Sequence, residues 1–235
     1  MKLSLDKEEL QYYVSRQLEY RFPDKKSILN FEEPINKKSF EEALERVEYC
    51  FQHIMVRGYS VVEKGDKNTF FHHLNSDQYS QFLYYFSNSL WKNGGNPDLC
   101  SKLILLNRDL SGCWFSYKAK LPDIFVLIHP VGSVLGNKNI EYSDYLVVLQ
   151  NITINGSNIP LKLGKYLFMG AGSKIIGGGG IGDCVSIGVN TVVRNPNIPD
   201  NCVVYQDVCT GMITQRPNRK SVCYALRNYF KEDNL

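Results

Sequence analysis

The sequence predicts an α+β chain in two parts, a helical N-terminal domain followed by a parallel β-solenoid. Two observations carry this reading. Large aliphatics recur at every sixth position from Leu163 through Met169, Ile175, Ile181 and Ile187 to Val193. The first part of the chain lacks that stride and carries helix start and stop signals instead. A spacing of six fits neither the helical period nor the alternation of a short strand, and it is the signature of a hexapeptide solenoid. One aliphatic per flat strand points inward, three strands close a triangular coil, and the coils stack. Gly164, Gly170, Gly182 and Gly188 each follow an inward aliphatic directly, as tight corners require.

Three helices are predicted before the repeat. Ser39–Arg57 opens on Ser39, carries acids in its first turn, and is stopped by Gly58. Its apolar positions Phe40, Ala43, Leu44, Val47, Cys50, Phe51 and Ile54 share one face. Ser76–Trp91 is a second, aromatic helix stopped by Gly94 and Gly95, and a third covers about Pro97–Leu106. Such a helical domain is expected to cover the first coil, whose apolar core and strand edges are otherwise exposed.

Upstream of Leu163 the stride continues as Ile128, Val134, Ile140, Leu146 and Ile152, and the step from Ile152 to Leu163 is eleven. The break falls on Thr153–Lys162, whose Asn-Gly-Ser-Asn and Pro160 are loop chemistry. The repeat is expected to run from about Ile128 to Val204. Domain boundaries follow: 1–120 for the helical domain, 121–207 for the solenoid, 208–235 for a C-terminal tail.

Composition narrows the function. The 235 residues carry a net charge of +3, too little to argue for nucleic acid, and no basic-aromatic interleaving supports it. No apolar stretch suits a membrane span or the core of a secretory signal. Seven cysteines, an odd number without a C-x-x-C pair, read as reduced thiols in the cytoplasm. The solenoid holds a single histidine, His129, so no three-histidine metal site is expected. Imidazole is the side chain best matched to taking and returning a proton near neutral pH.

The stretch from Ile128 to Ser157 resembles the catalytic region of the bacterial serine acetyltransferases. His129-Pro130-Val131-Gly132, Val134-Leu135-Gly136 and Leu149-Gln150-Asn151-Ile152-Thr153 stand for its successive motifs. Met169–Gly177 is similar to the family's Gly-Ala-Gly coil and Ile187–Val193 to its last full coil. The resemblance implies a left-handed β-helix, a homotrimer or a multiple of it, and acetyl-CoA as co-substrate. It implies His129 as general base, with Asp123 the nearest candidate to orient it, because Trp114 stands at the family's usual aspartate. Gly170, Ala171, Gly172 and Gly188 are the expected edge for the pantetheine arm, with Lys174 and Arg216, and further along Arg219 and Lys220, for the CoA phosphates. The Gly177–Gly180 run lacks the Lys-Ser/Thr of a phosphate loop and reads as a coil corner.

The acceptor is where the chain departs from the family. The family's loop carries an Arg-His pair that grips and activates serine. Here Ile159 falls at the histidine, and Lys162 is the only cation of the segment. A free amino acid needs a fixed fork for its carboxylate. The expectation is therefore a sugar or surface-polysaccharide hydroxyl, met by Asp77 and Tyr79 of the aromatic helix and by Lys162, with Gln78, Tyr84 and Tyr85 beside them. Serine acetylation and a non-catalytic scaffold are the alternatives.

Overall fold

The computed structural model describes residues 1–63, 65–136, 139–217, 226 and 228–231. It divides into two compact units, one of Met1–Gln52 with Arg57–Lys118, the other of His53–Val56 with Ala119–Leu235.

The first unit contains β1 (Lys2–Leu3), α1 (Lys7–Arg21), α2 (Pro34–Gln52), β2 (Ser60–Glu63), β3 (Asp66–Phe71), α3 (Ser76–Lys92), α4 (Pro97–Ser111) and β4 (Trp114–Phe115). The sequence pattern missed α1 and the small sheet ordered β1-β3-β2. The signal for α1 was local: Asp6 and Glu9 form a reciprocal capping box. Helix α2 begins five residues before the predicted Ser39, with Pro34 at its first position, where a missing N–H costs nothing. Ser39 is therefore not a cap; it is buried and donates its hydroxyl to the Ile35 carbonyl at 2.7 Å. The apolar face of α2 is buried as the pattern required, from Phe40 to Phe51. Helix α3 is buried along nearly its whole length, from Asp77 to Leu90, and is the central helix of this unit.

The second unit is the solenoid. Its strands are β5 (Phe125–Leu127), β6 (Val134–Leu135), β7 (Ile140–Glu141), β8 (Leu146–Val148), β9 (Thr153–Asn155), β10 (Leu161–Leu163), β11 (Phe168–Met169), β12 (Lys174–Ile176), β13 (Gly179–Ile181), β14 (Ser186–Ile187), β15 (Val192–Arg194), β16 (Asn197–Ile198), β17 (Cys202–Gln206) and β18 (Ile213–Pro217). They form three faces. Face one stacks β5, β8, β11, β14 and β17 in parallel, with β18 antiparallel at the end. Face two stacks β6, β9, β12 and β15; face three stacks β7, β10, β13 and β16.

From Leu163 to Val193 the predicted inward residues are all buried. Upstream, Leu146 and Ile152 are buried as predicted, but the stride of six fails, most clearly at Val134. Leu127 aligns with Val148 and Met169, and Leu135 with Ile154 and Ile175, so these are the inward positions. Val134 is 37% exposed, while Leu135 beside it is fully buried. The error has a physical origin: these strands carry neighbouring aliphatics, and a one-residue slip exchanges the faces. The predicted Thr153–Lys162 loop shrinks to residues 156–160, because β9 and β10 take its two ends.

Candidate active site

Corners join the faces, and corners of successive coils stack into edges. At the first edge, between faces one and two, the chain turns through Gly132, Asn151, Gly172 and Asn190, all with positive φ. Each coil hands a hydrogen bond to its neighbour: Asn151 N–H to the Val131 carbonyl, Gly172 N–H to Gln150, and Asn190 N–H to Ala171, at 2.8–2.9 Å. Gly172 combines a φ of 73° with a space closed by the Asn190 side chain, 2.1 Å from where a Cβ would stand.

His129 lies on this edge, exposed and with a φ of 49°. Its carbonyl accepts from Val131 N–H at 2.8 Å, and the Pro130 carbonyl accepts from Ser133 N–H at 2.9 Å. Two tight turns in succession therefore build the corner. Inward residues are eight apart here (Leu127 to Leu135), against six at the equivalent corners from Met169 to Ile175 and Ile187 to Val193. The two extra residues enlarge this corner relative to the regular edge.

The predicted cofactor positions collect along the same edge. Gly170 leaves no room for a side chain, since a Cβ would lie 2.8 Å from the Ile187 carbonyl of the next coil. Coil stacking thus explains this glycine independently of any ligand. Ala171 and Gly172 are half-exposed at the corner itself, and Gly188 is the counterpart of Gly170 one coil on. Successive strands lie roughly 4.8 Å apart, so this row begins about 10 Å along the edge from His129. The Lys174 ammonium donates to the Gly172 carbonyl at 3.1 Å. Arg216 stacks on the Tyr205 ring, its guanidinium carbon 5.2 Å from the centroid, and Tyr205 in turn packs beside Gly188. Tyr205 was missed, because an aromatic on the last coil carries no signal until its neighbour in the stack is known. Arg219 and Lys220 lie outside the described residues.

Asp123 is not where the sequence reading needed it. It stands on the third edge, between faces three and one, at the other end of β5 from His129. There the corners carry a column of aspartates whose carboxylates cap the preceding coil. Asp144 accepts from the N–H groups of Asp123 and Ile124 at 2.9 and 3.1 Å, Asp183 from Lys165, and Asp200 from Asp183. The width of face one separates Asp123 from the imidazole. Asp109, a second carboxylate near in sequence, is ion-paired with Arg21 within the helical unit.

The acceptor residues fare similarly. Tyr79 is 4% exposed, packs against Tyr13, Phe71 and Phe82, and donates its hydroxyl to Gln17. Burial pushes its phenol well above the ordinary range. Asp77 is 7% exposed in the first turn of α3. Gln78 spends its amide on the His72 N–H and the Gly58 carbonyl, and Tyr84 and Tyr85 are fully buried. These side chains build the core of the helical unit, so the expected aromatic acceptor surface is absent from them. Lys162 is on face three, exposed and 3.6 Å from Glu141.

The thiols need one correction. Cys184, at a third-edge corner with a φ of 56°, is disulfide-bonded, whereas Cys50, Cys100, Cys113, Cys202 and Cys209 are thiols outside any disulfide. Sequence spacing carried no warning, because a disulfide requires proximity in space rather than in sequence. Cys223 lies outside the described residues. Among the described residues there is no cluster of three or more metal-ligating side chains, and no helix is long and apolar enough to cross a membrane.

No family model matches the chain. It is 31% identical over 104 residues to the serine acetyltransferase of Synechococcus elongatus, a match spanning 42% of this chain and 42% of that relative. Less than half of the curated relative's length is therefore covered. Among solved structures, a serine acetyltransferase in complex with cysteine superposes with a TM-score of 0.66 at 19% identity, covering 94% of this chain and 84% of that one. Another, in complex with CoA, gives 0.64 at 18%, covering 88% and 84%. The Neisseria gonorrhoeae serine acetyltransferase gives 0.63 at 19%, covering 90% and 78%. The chain thus shares the fold of the solved serine acetyltransferases, helices followed by a parallel β-solenoid, and over 104 residues it is similar in sequence to one of that enzyme's curated representatives.

Proposed function

We propose that this chain is an acetyl-CoA-dependent O-acetyltransferase with His129 as general base. The observation that carries the reading is the first edge. A histidine in a corner enlarged by two residues stands on the same edge as the Gly170–Gly172 corner, with Lys174 and Arg216 as cations further along. The histidine's left-handed φ is shared with regular corners such as Asn151 and Asn190, so what sets this exposed histidine apart is the enlargement of its corner. The relative named above and the neighbour solved with CoA support the donor.

In the reaction the imidazole takes the acceptor's hydroxyl proton while that oxygen attacks the thioester carbonyl. The tetrahedral intermediate then collapses, expelling the CoA thiolate, which recovers the proton from the imidazolium. Asp123 is left out of this scheme, because its side of the coil is not the imidazole's. A homotrimer with the edge of one subunit walled by its neighbour is the assembly we propose. Exposed Val131, Val134, Val189 and Val192 on and beside the edge supply apolar surface for such a contact. Sedimentation at micromolar concentration tests it, and an active monomer refutes it.

For the acceptor, two readings each rest on an observation. Serine acetylation is favoured by the serine acetyltransferase relatives. A different hydroxyl, such as that of a sugar, is favoured by the 156–160 loop, which carries no cation, packs Ile159 over Gly178 and leaves Lys162 facing Glu141. Losing a bidentate charged contact costs roughly two decades of affinity for an amino acid. We therefore expect thiol release from acetyl-CoA to be faster with sugar hydroxyls than with L-serine. Saturation by millimolar serine, with sugars inert, assigns the chain to serine instead.

A further inference from the structure

We propose that the groove beside the C-terminal half of α1 binds an amphipathic anion, a medium-chain acyl carboxylate, independently of the solenoid. The groove encloses about 520 Å³, within the range that suits a small organic ligand. Its floor is apolar, formed by the buried Leu18 and Leu29 with Phe22, and its rim includes Ile28, 54% exposed.

The charges around it are unbalanced. Arg16, Lys25, Lys26 and Lys102 line the groove, against Glu19 alone among acids. Arg16 is ion-paired with Glu19, and Lys102 with Asp24. Lys25 and Lys26 are left without a salt bridge among the described residues. Lys26 also acts electrostatically on Asp24, so the four cations outnumber Glu19 and Asp24 by two, and an apolar floor beside that excess of positive charge is complementary to a ligand with a hydrocarbon tail and an anionic head.

The loop beside that floor has a shape fixed by its backbone and by one lysine. Lys25 and Ser27 both adopt left-handed backbone, with φ of 55° and 45°, although neither is glycine or asparagine. From α4, the Lys102 ammonium, 12% exposed, donates to the Asp24 carboxylate and the Lys26 carbonyl, pinning the loop in this shape. A flat aromatic ligand is disfavoured, because the Phe22 ring already meets the cations of Arg21 and Lys102, at 5.4 and 5.7 Å. A flexible acyl tail needs no such ring face.

The test is calorimetric titration of the full chain with octanoate and with 1-octanol, which shares the tail and lacks the charge. Octanoate is expected to bind saturably and at least about fivefold more tightly than octanol. The double variant Lys25→Gln/Lys26→Gln should lose that advantage, and Ile28→Asp should weaken both ligands. Added salt should weaken octanoate alone. All three side chains lie in an exposed loop, and circular dichroism verifies that each variant keeps its fold. The proposal is overturned if octanoate shows no saturable binding, if octanol binds equally well, or if the lysine variant retains wild-type octanoate affinity.

Discussion

The downstream and upstream coils of the solenoid share one architecture and differ in regularity. From Leu163 to Val193 the inward residues keep their step of six, and the sequence alone located each of them. Before Leu163 the steps vary: eight from Leu127 to Leu135, six from Val148 to Ile154, nine from Ile154 to Leu163. Most of the extra residues fall at two places, the corner bearing His129 and the 156–160 loop, where the reactive base and the departure in acceptor recognition are proposed; a single further one separates Leu135 from Tyr142, the position opposite Leu163. In this fold a regular coil provides stacking, and an irregular one creates space for chemistry.

The largest effect that sharpens this contrast is expected at the irregular corner. His129→Asn removes the base and retains a side chain that tolerates the left-handed turn. It should lower turnover about a hundredfold or more and leave the circular dichroism spectrum unchanged. Near-normal turnover would reduce His129 to a turn residue.

A regular corner should respond in stability instead. Gly172→Ala forces a Cβ against Asn190 at positive φ and is expected to cost about 2–4 kcal/mol in denaturant unfolding. Gly180→Ala is the control on a neighbouring coil segment. It has ordinary φ and open space around the new Cβ, so its change should stay within about 0.5 kcal/mol. Equal losses at the two glycines would contradict the stacking account.

The smallest effect concerns the inside of the first edge. The Ser133 hydroxyl bridges to the Leu149 carbonyl and Ile152 N–H, and Thr191 accepts from Gln206 N–H, but the fully buried Ser173 hydroxyl has no hydrogen-bond partner. Ser173→Ala should therefore be neutral or stabilising by up to about 1 kcal/mol, whereas Ser133→Ala should destabilise by a similar amount. Reversal of that order in thermal unfolding would sink the assignment.

What could be read beforehand follows the same division. The six-residue stride, helix α3 and the start of α4 at Pro97 were legible because each is a local pattern with one interpretation. The upstream register was not, since Val134-Leu135 and Leu146-Val147-Val148 offer an aliphatic to either face. His129 stood out as the solenoid's lone histidine, and its catalytic role is a proposal. Asp123 was misread because nearness in sequence says little in a coil, where three residues of strand carry the chain from one edge to another. Tyr79 was misread because an aromatic helix at a domain's centre and one lining a site have the same composition.

Stacking also turns the chain into a ruler. Between Val148 and Met169, or between Ile154 and Ile175, one circuit of the three faces returns the backbone to the same face one strand higher. Distance along the gene therefore translates into height on the molecule, and each circuit touches chiefly the one before and the one after. A whole circuit is the natural quantum for gain or loss during descent, since it preserves every face and edge above it. Removal of a single residue instead rotates all later positions out of alignment. Related chains should accordingly differ in solenoid height by complete circuits, while the few residues added at a corner drift freely.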